Sequence, residues 1–342
     1  MTRNQSPVLV TGAAGYVGSH IVHRLLRAGH GVRAAVRTPD RADEVRAGVA
    51  ADGLDPAAVE FAVTDLGSDE GWPEAVAGVR YVIHVASPFP AQNPADDEEI
   101  IAPARDGALR VLRAARDAGC SRVVLTSSFA AVGYSPKGSD TWSEQDWTDP
   151  SSDNTAYIRS KAIAERAAWD FVAAVDGGLE LVTVIPVGIF GPTLGPHLST
   201  SVQFVRSMLA GELRRVVPQY FGVVDVRDVA DAHISAMTTA DAAGHRFLVV
   251  ADGGPLSFLD IAGILRDGLG RDAAEVPDAE YTVEEMRGLV SSQPALREAL
   301  VRISERPQIS NARAKDVLGF APRPVRDTIL DTGRSLIERG LV

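Results

Sequence analysis

The sequence predicts an α/β fold: a doubly wound parallel sheet of about seven strands joined to a smaller C-terminal domain. Short apolar runs at 7–10, 32–36, 59–63, 81–85 and 122–126 are interleaved with amphipathic segments, about 69–76 and 96–118 among them. Strand alternating with helix implies parallel strands covered on both faces. The first run ends in Thr11-Gly12-Ala13-Ala14-Gly15-Tyr16-Val17-Gly18, after which Ile21, Val22, Leu25 and Leu26 recur at helical spacing up to Ala28-Gly29. The chain therefore opens with strand, glycine turn and helix. With 342 residues, 45% of them hydrophobic and 23% charged, it has room for this core and a further domain.

Glycine at 12, 15 and 18 permits a tight turn and close approach of backbone to a pyrophosphate, held at the helix N-terminus by N–H groups and the dipole. The spacing is G-x-x-G-x-x-G, not the commoner G-x-G-x-x-G, and a tight turn without ligand has the same spacing. The setting between a strand and a helix favours the dinucleotide and a Rossmann domain. The second strand ends at Arg37, about 20 residues after the turn, where an acidic residue binds a ribose 2′-hydroxyl and Arg favours a 2′-phosphate. Arg37, with Arg41 as a second contact, points to NADP(H), while Asp40 keeps NAD(H) open. Ligands of such sheets sit at the carboxyl ends of the strands. Those ends read Asp65-Leu66, Val85-Ala86-Ser87 and Thr126-Ser127-Ser128, small or polar residues past which a flat cofactor fits. His84, inside a strand, reads as a packed core histidine.

Tyr157-Ile158-Arg159-Ser160-Lys161 carries the clearest chemistry. Residues four apart on a helix share a face, so the phenol and the ammonium address one volume. A phenol of pKa ~10 is a poor acid at neutral pH, and a neighbouring cation lowers that value. A surface pair on an amphipathic helix has the same spacing, but of six tyrosines only Tyr157 has a lysine four residues on.

Composition removes several alternatives. The net charge of −11 argues against a nucleic-acid partner, which demands a basic face. Cys120 is the only cysteine, so an internal disulfide and a Cys-based zinc site are both ruled out, which suits a reducing compartment. Residues 1–7 are polar, without an apolar signal core, and the most apolar run, 179–190, falls short of the ~20 residues a membrane helix needs. A cytoplasmic protein with no membrane partner is expected. His20 and His23 lack an acidic or cysteine partner at ligand spacing and read as helix-surface histidines, so no metal is expected.

Together these motifs resemble the extended short-chain dehydrogenase/reductase superfamily, in the branch of dihydroflavonol reductases, cinnamoyl-CoA reductases and microbial aldehyde or ketone reductases. The matching residues are the 11–18 turn, Val36-Arg37, His84-Val85-Ala86-Ser87-Pro88-Phe89, Val123-Val124-Leu125-Thr126-Ser127-Ser128, Tyr157 with Ser160-Lys161 through Trp169, Ile185-Pro186 with Gly191-Pro192, and 224–233. They cover about 7–250 and, more loosely, the remainder. The resemblance implies that Ser128 binds a substrate carbonyl oxygen, that Tyr157 protonates it, and that Lys161 holds the nicotinamide ribose and depresses the phenol pKa. Choosing Ser128 over Ser127 rests on family alignment. Implied cofactor contacts are Gly12, Ala14, Gly15, Tyr16, Val17, Gly18, Arg37, Asp65, Leu66, Val85, Ala86, Ser87, Thr126, Tyr157, Lys161, then Pro186, Val187 and Ile189 beside the nicotinamide, and Ser201. The segment Ala104-Arg105-Asp106-Gly107-Ala108 departs from the pattern by lacking the asparagine many members carry, which leaves the proton relay behind Lys161 open.

Residues 135–155, rich in Ser, Asp, Pro and Gly, read mainly as a solvated loop. A sixth strand at 179–185 is broken by Pro186, a helix spans 228–237, and a seventh strand spans 246–250. A helix at 258–269 follows, and closing helices occupy 311–318 and 325–337. The dinucleotide domain is assigned to 1–192 and 223–250, the substrate domain to 193–222 and 251–310, and the closing helices to 311–342. Phe89, Phe129, Phe204, Tyr220 and Phe221 are expected to line an apolar mouth that suits an apolar or aromatic carbonyl compound. The expected activity is NADPH-dependent reduction of an aldehyde or ketone to the alcohol, with a homodimer by family habit. Alternatives are a nucleotide-sugar epimerase or dehydratase, a hydroxysteroid dehydrogenase, and a non-catalytic dinucleotide-binding module.

Overall fold

The computed structural model describes residues 6–87, 96–139, 141–175, 178–290, 300, 303 and 305–342. Seven strands form one sheet: β1 (Val8–Thr11), β2 (Val32–Val36), β3 (Val59–Val63), β4 (Tyr81–His84), β5 (Arg122–Thr126), β6 (Glu180–Pro186) and β7 (Arg246–Val249). Every pairing is parallel, and the spatial order is β7-β6-β5-β4-β1-β2-β3. The order reverses where β1 lies beside β4, with Thr11 opposite His84, the switch point at which doubly wound sheets take ligands.

The central strands are buried on both faces, which explains their unbroken Val, Ile and Leu content. Helices α1 (Tyr16–Arg27), α2 (Pro39–Ala51), α3 (Trp72–Val76), α4 (Glu98–Asp117) and α5 (Ala156–Ala174) connect them. Beneath α3 and α4, Leu9, Trp72, Val82, Val111, Leu112, Cys120, Val123 and Leu181 form one apolar cluster. Cys120 is 4% exposed, and burial raises its thiol pKa. Helix α3 is shorter than the 69–76 segment expected, because Gly71 takes a left-handed φ of 80° and starts the helix only at Trp72.

Two further expectations change. The 135–155 segment is pinned down: Glu144 and Thr148 are buried, the Leu248 N–H of edge strand β7 donates to Glu144 Oε1 at 3.1 Å, and the Thr148 N–H donates to the Ala131 carbonyl. The loop thereby covers part of the sheet edge. His20 and His23 are buried, not on the helix surface; Tyr16 packs edge-on against His20, and His23 Nδ1 bonds Asp52 at 2.8 Å.

Two compact units divide the chain: residues Met1–Pro186, Arg227–Val249 and Asn311–Ala321, and residues Val187–Val226, Val250–Ser310 and Pro322–Val342. The first boundary falls at Pro186 where 192 was expected, because Gly188–Phe190 pairs with Val223–Asp225 and not with the large sheet. The closing helices separate as well. In the first unit, Arg313, in the helix Ala312–Leu318, donates to the Arg246 carbonyl at 3.3 Å. In the second, the helix Val325–Glu338 accepts from the Gly191 N–H through Thr332 Oγ1 and donates to Asp225 from Thr328. No helix among the described residues is long and apolar enough to cross a membrane.

Candidate active site

The glycine turn closes on β4. Gly12 has φ +66°, and a Cβ there would meet Ala86 N at 3.0 Å. A Cβ on Gly18 would lie 2.1 Å from the Gly12 carbonyl oxygen, so only glycine lets α1 start this close to the turn. The N-cap of α1, Gly15, brings no capping side chain, and the first turn holds no acidic residue. Such an end retains the positive pole of its dipole for an outside anion. This cradle fits the diphosphate of a dinucleotide. Ala14 and Val17 are half-buried beside it, and Tyr16 is buried.

Thr11, which the sequence did not single out, shapes the neighbouring strand end. Its Oγ1 accepts from Val85 N at 3.1 Å and Ala86 N at 3.0 Å, and lies 2.7 Å from His84 Nδ1. With both lone pairs engaged, the hydroxyl donates its proton to Nδ1, leaving the His84 proton on Nε2. Burial, reinforced by the Lys161 cation, lowers the His84 pKa to about 4, so it is a neutral packed histidine, as expected.

At the β2 and β3 ends, the Arg37 side chain is 76% exposed, its Nε 3.8 Å from Asp65 Oδ2. Arg41 is engaged with Glu44 at 2.6 Å. Asp65 Oδ1 accepts from Gly67 N at 2.6 Å, and Leu66 packs on α4, where a Cβ at Gly107 would come within 3.0 Å of Leu66 Cβ.

Four side chains from three segments meet beyond β4 and β5. Ser128 caps the short turn Phe129–Ala131, its Oγ accepting from Ala130 N at 3.1 Å, and is hydrogen-bonded to the Tyr157 phenol. Tyr157 lies in the first turn of α5, whose N-cap Thr155 accepts from Ile158 N. One turn on, Lys161 Nζ donates to Ser87 Oγ at 2.6 Å and stands 5.4 Å from the Tyr157 ring centroid. Ser127 turns the other way, donating to buried Glu165 at 2.6 Å. Thr126 Oγ1 bonds His233 Nε2 at 2.7 Å, while His233 Nδ1 bonds the Val229 carbonyl at 2.7 Å. The carbonyl only accepts, so Nδ1 carries the proton and Nε2 accepts from Thr126.

The electrostatics differ from expectation in one respect. Burial pushes the Tyr157 phenol up, and the Ser128 hydrogen bond pulls it only part of the way back. The expected lowering by Lys161 is not the controlling effect, because that ammonium is directed to Ser87. Burial pushes Lys161 itself down to about 8. An unfolded lysine takes up its proton near pH 10.5, so between about 8 and 10.5 the unfolded chain binds more protons and stability rises with pH. Below about 8 both states are charged and the full burial penalty applies. Lys161→Met is therefore expected to raise the Tm at pH 7, a gain that shrinks toward pH 10 in thermal melts at the two pH values.

The remaining candidates are placed less compactly. Pro186 is the buried last residue of β6, while half-buried Val187, Ile189 and Ser201 belong to the second unit. Phe129, expected at an apolar mouth, is instead core, packed edge-on against Tyr134 and Trp142. In the second unit Phe258 contacts Phe204 and Phe221, with ring centroids at 4.1 and 4.7 Å. Phe89, with Pro88 and Pro90, lies outside the described residues. Among the described residues no three His, Cys, Asp or Glu side chains gather as a metal site.

Comparison with known proteins identifies the family. The model of the NAD dependent epimerase/dehydratase family matches residues 8–251. Cinnamoyl-CoA reductase CAD2 of Medicago truncatula is 38% identical over 250 residues, 71% of this chain and 75% of the relative. The NADPH-dependent methylglyoxal reductase GRE2 of Saccharomyces cerevisiae is 29% identical over 97% of this chain and 98% of its own. The crystal structure of yeast methylglyoxal/isovaleraldehyde reductase Gre2 complexed with NADPH superimposes with a TM-score of 0.79 at 27% identity, covering 98% of this chain and all of that one. From its strand order, its glycine cradle and these matches, the chain belongs to the NAD dependent epimerase/dehydratase family of extended short-chain dehydrogenases/reductases, in the branch that holds the dihydroflavonol, cinnamoyl-CoA and Gre2-type reductases.

Proposed function

We propose that this protein is an NADP(H)-dependent reductase of aldehydes or ketones. The observation that carries the reading is the convergence of Ser128, Tyr157, Lys161 and Ser87 at the strand ends next to the glycine cradle. A bound nicotinamide supplies the hydride. Ser128 donates a hydrogen bond to the substrate carbonyl oxygen, and Tyr157 delivers its proton to that oxygen as negative charge develops. The Lys161 cation, steadied by Ser87, stabilises the resulting phenolate and holds the ribose hydroxyls. Gly12, Gly15 and Gly18 admit the diphosphate, and Asp65 and Leu66 flank the adenine.

Arg37 reads the 2′-phosphate, supported by its exposure and its loose 3.8 Å contact with Asp65. The yeast Gre2 reductase carries NADPH in its name and in its crystal complex. The substrate class proposed is an apolar or aromatic carbonyl compound, in keeping with the aromatic residues named from the sequence.

The test is the rate of NADPH oxidation over a panel of aliphatic and aromatic aldehydes and ketones, with NADH in parallel. Turnover is expected with NADPH, at least about tenfold above NADH, and Arg37→Ser should shrink that preference by about tenfold or more, the size of a lost charge-assisted contact. A preference for NADH that Arg37→Ser leaves unchanged would overturn the cofactor assignment. Wild-type protein that reduces nothing with either nucleotide, or that purifies with stoichiometric NAD, would overturn the reductase reading.

A further inference from the structure

Behind the site, four chain segments converge on one buried carboxylate. Tyr157, Lys161 and Glu165 are spaced by four along α5, and Glu165 is 1% exposed. Arg246, from edge strand β7, grips it through two bonds: Nε to Oε1 at 2.8 Å and Nη2 to Oε2 at 3.1 Å. Glu165 also accepts from Ser127 Oγ at 2.6 Å, from Thr183 Oγ1 of β6 at 3.0 Å and from Trp169 Nε1 at 3.3 Å. The guanidinium lies 3.5 Å from the Trp147 ring centroid, and its Nη1 donates to the carbonyls of Glu144 and Asp146, each at 2.8 Å. Both charges are therefore fully solvated by protein.

Stability alone does not account for such a pair, since a buried ion pair is often replaceable by apolar side chains at no net cost. What it does supply is direction. Ser127 is the chain neighbour of Ser128, so a single carboxylate ties the segment carrying Ser128 to the helix carrying Tyr157 and Lys161. We infer that Glu165 and Arg246 are positioning residues that fix the Ser128–Tyr157–Lys161 geometry, an inference that rests on the reductase reading. Neither touches the reacting atoms. Both act through Ser127 and α5, and misplacement of a catalytic group by ~1 Å costs on the order of 10²-fold in rate.

Glu165→Gln keeps the shape but removes the charge opposite Arg246. In folded protein with a cooperative melt, kcat is expected to fall at least about tenfold, while KM and the NADPH Kd from fluorescence titration move less than about threefold. Should Glu165→Gln not fold, Ser127→Ala, which leaves the ion pair in place and cuts only its link to the Ser128 segment, is expected to lower kcat at least about threefold with unchanged NADPH affinity. Unchanged kcat in either folded variant overturns the inference, as does a loss matched by an equal loss of NADPH binding. Wild-type protein without carbonyl turnover signals failure of the reductase reading; an active wild type with an equally active variant signals failure of the positioning role alone.

Discussion

Tyr157→Phe is expected to lower kcat for carbonyl reduction by roughly 10²- to 10⁴-fold, the range for loss of a positioned general acid. The substitution removes one oxygen from a half-buried ring in the first turn of α5 and leaves Thr155, which caps the helix, untouched. Cofactor affinity should stay within about threefold, because the glycine cradle and Arg37 are unchanged. Steady-state kinetics beside a fluorescence titration with NADPH separates the two quantities. A variant with full turnover would take Tyr157 out of the chemistry. Ser128 loses a partner in this variant but keeps its bond from Ala130 N, so its placement survives.

The second large effect is expected at Gly18. Alanine there puts a carbon 2.1 Å from the Gly12 carbonyl oxygen, a contact with backbone that only movement of α1 or of the turn relieves. Overpacking of this kind costs about 1–3 kcal/mol, and it deforms the surface that receives the diphosphate. Gly18→Ala should therefore lower the Tm and weaken NADPH binding at least about tenfold. Gly263→Ala provides the contrast: it lies within Phe258–Leu269, and its Cβ would meet nothing within 4 Å. That change should raise stability by about 0.4–1 kcal/mol by restricting the unfolded chain. Equal melting and equal cofactor affinity for Gly18→Ala and wild type would mean that the cradle tolerates a side chain.

Much of this architecture was legible because its signals are local. The strands announce themselves as short apolar runs, the helix Phe258–Leu269 by its amphipathic pattern, and the Tyr157–Lys161 pair by spacing. What escaped depends on partners distant in sequence. His23 is buried because Asp52, 29 residues away, accepts its ring hydrogen bond, and nothing around position 23 signals that. Glu144 and Thr148 sit in a polar, Pro-containing stretch that resembles a solvated loop until Leu248 and Ala131 are brought beside them. The sign of the Tyr157 shift is set by burial of the phenol, which the spacing to Lys161 does not reveal. Thr11 had a faint local signal, a hydroxyl at the end of an otherwise apolar strand just before the first glycine.

Cys120 has a practical consequence. The chain's one thiol is packed beneath α4 at the start of β5, 4% exposed and disfavoured as thiolate. A disulfide reagent added to the native protein reaches that sulfur only when the surrounding unit opens, so its rate of reaction is an internal stopwatch for opening. A reporter cysteine placed on an outer helix face would accept dye well before it, without first removing the native sulfur.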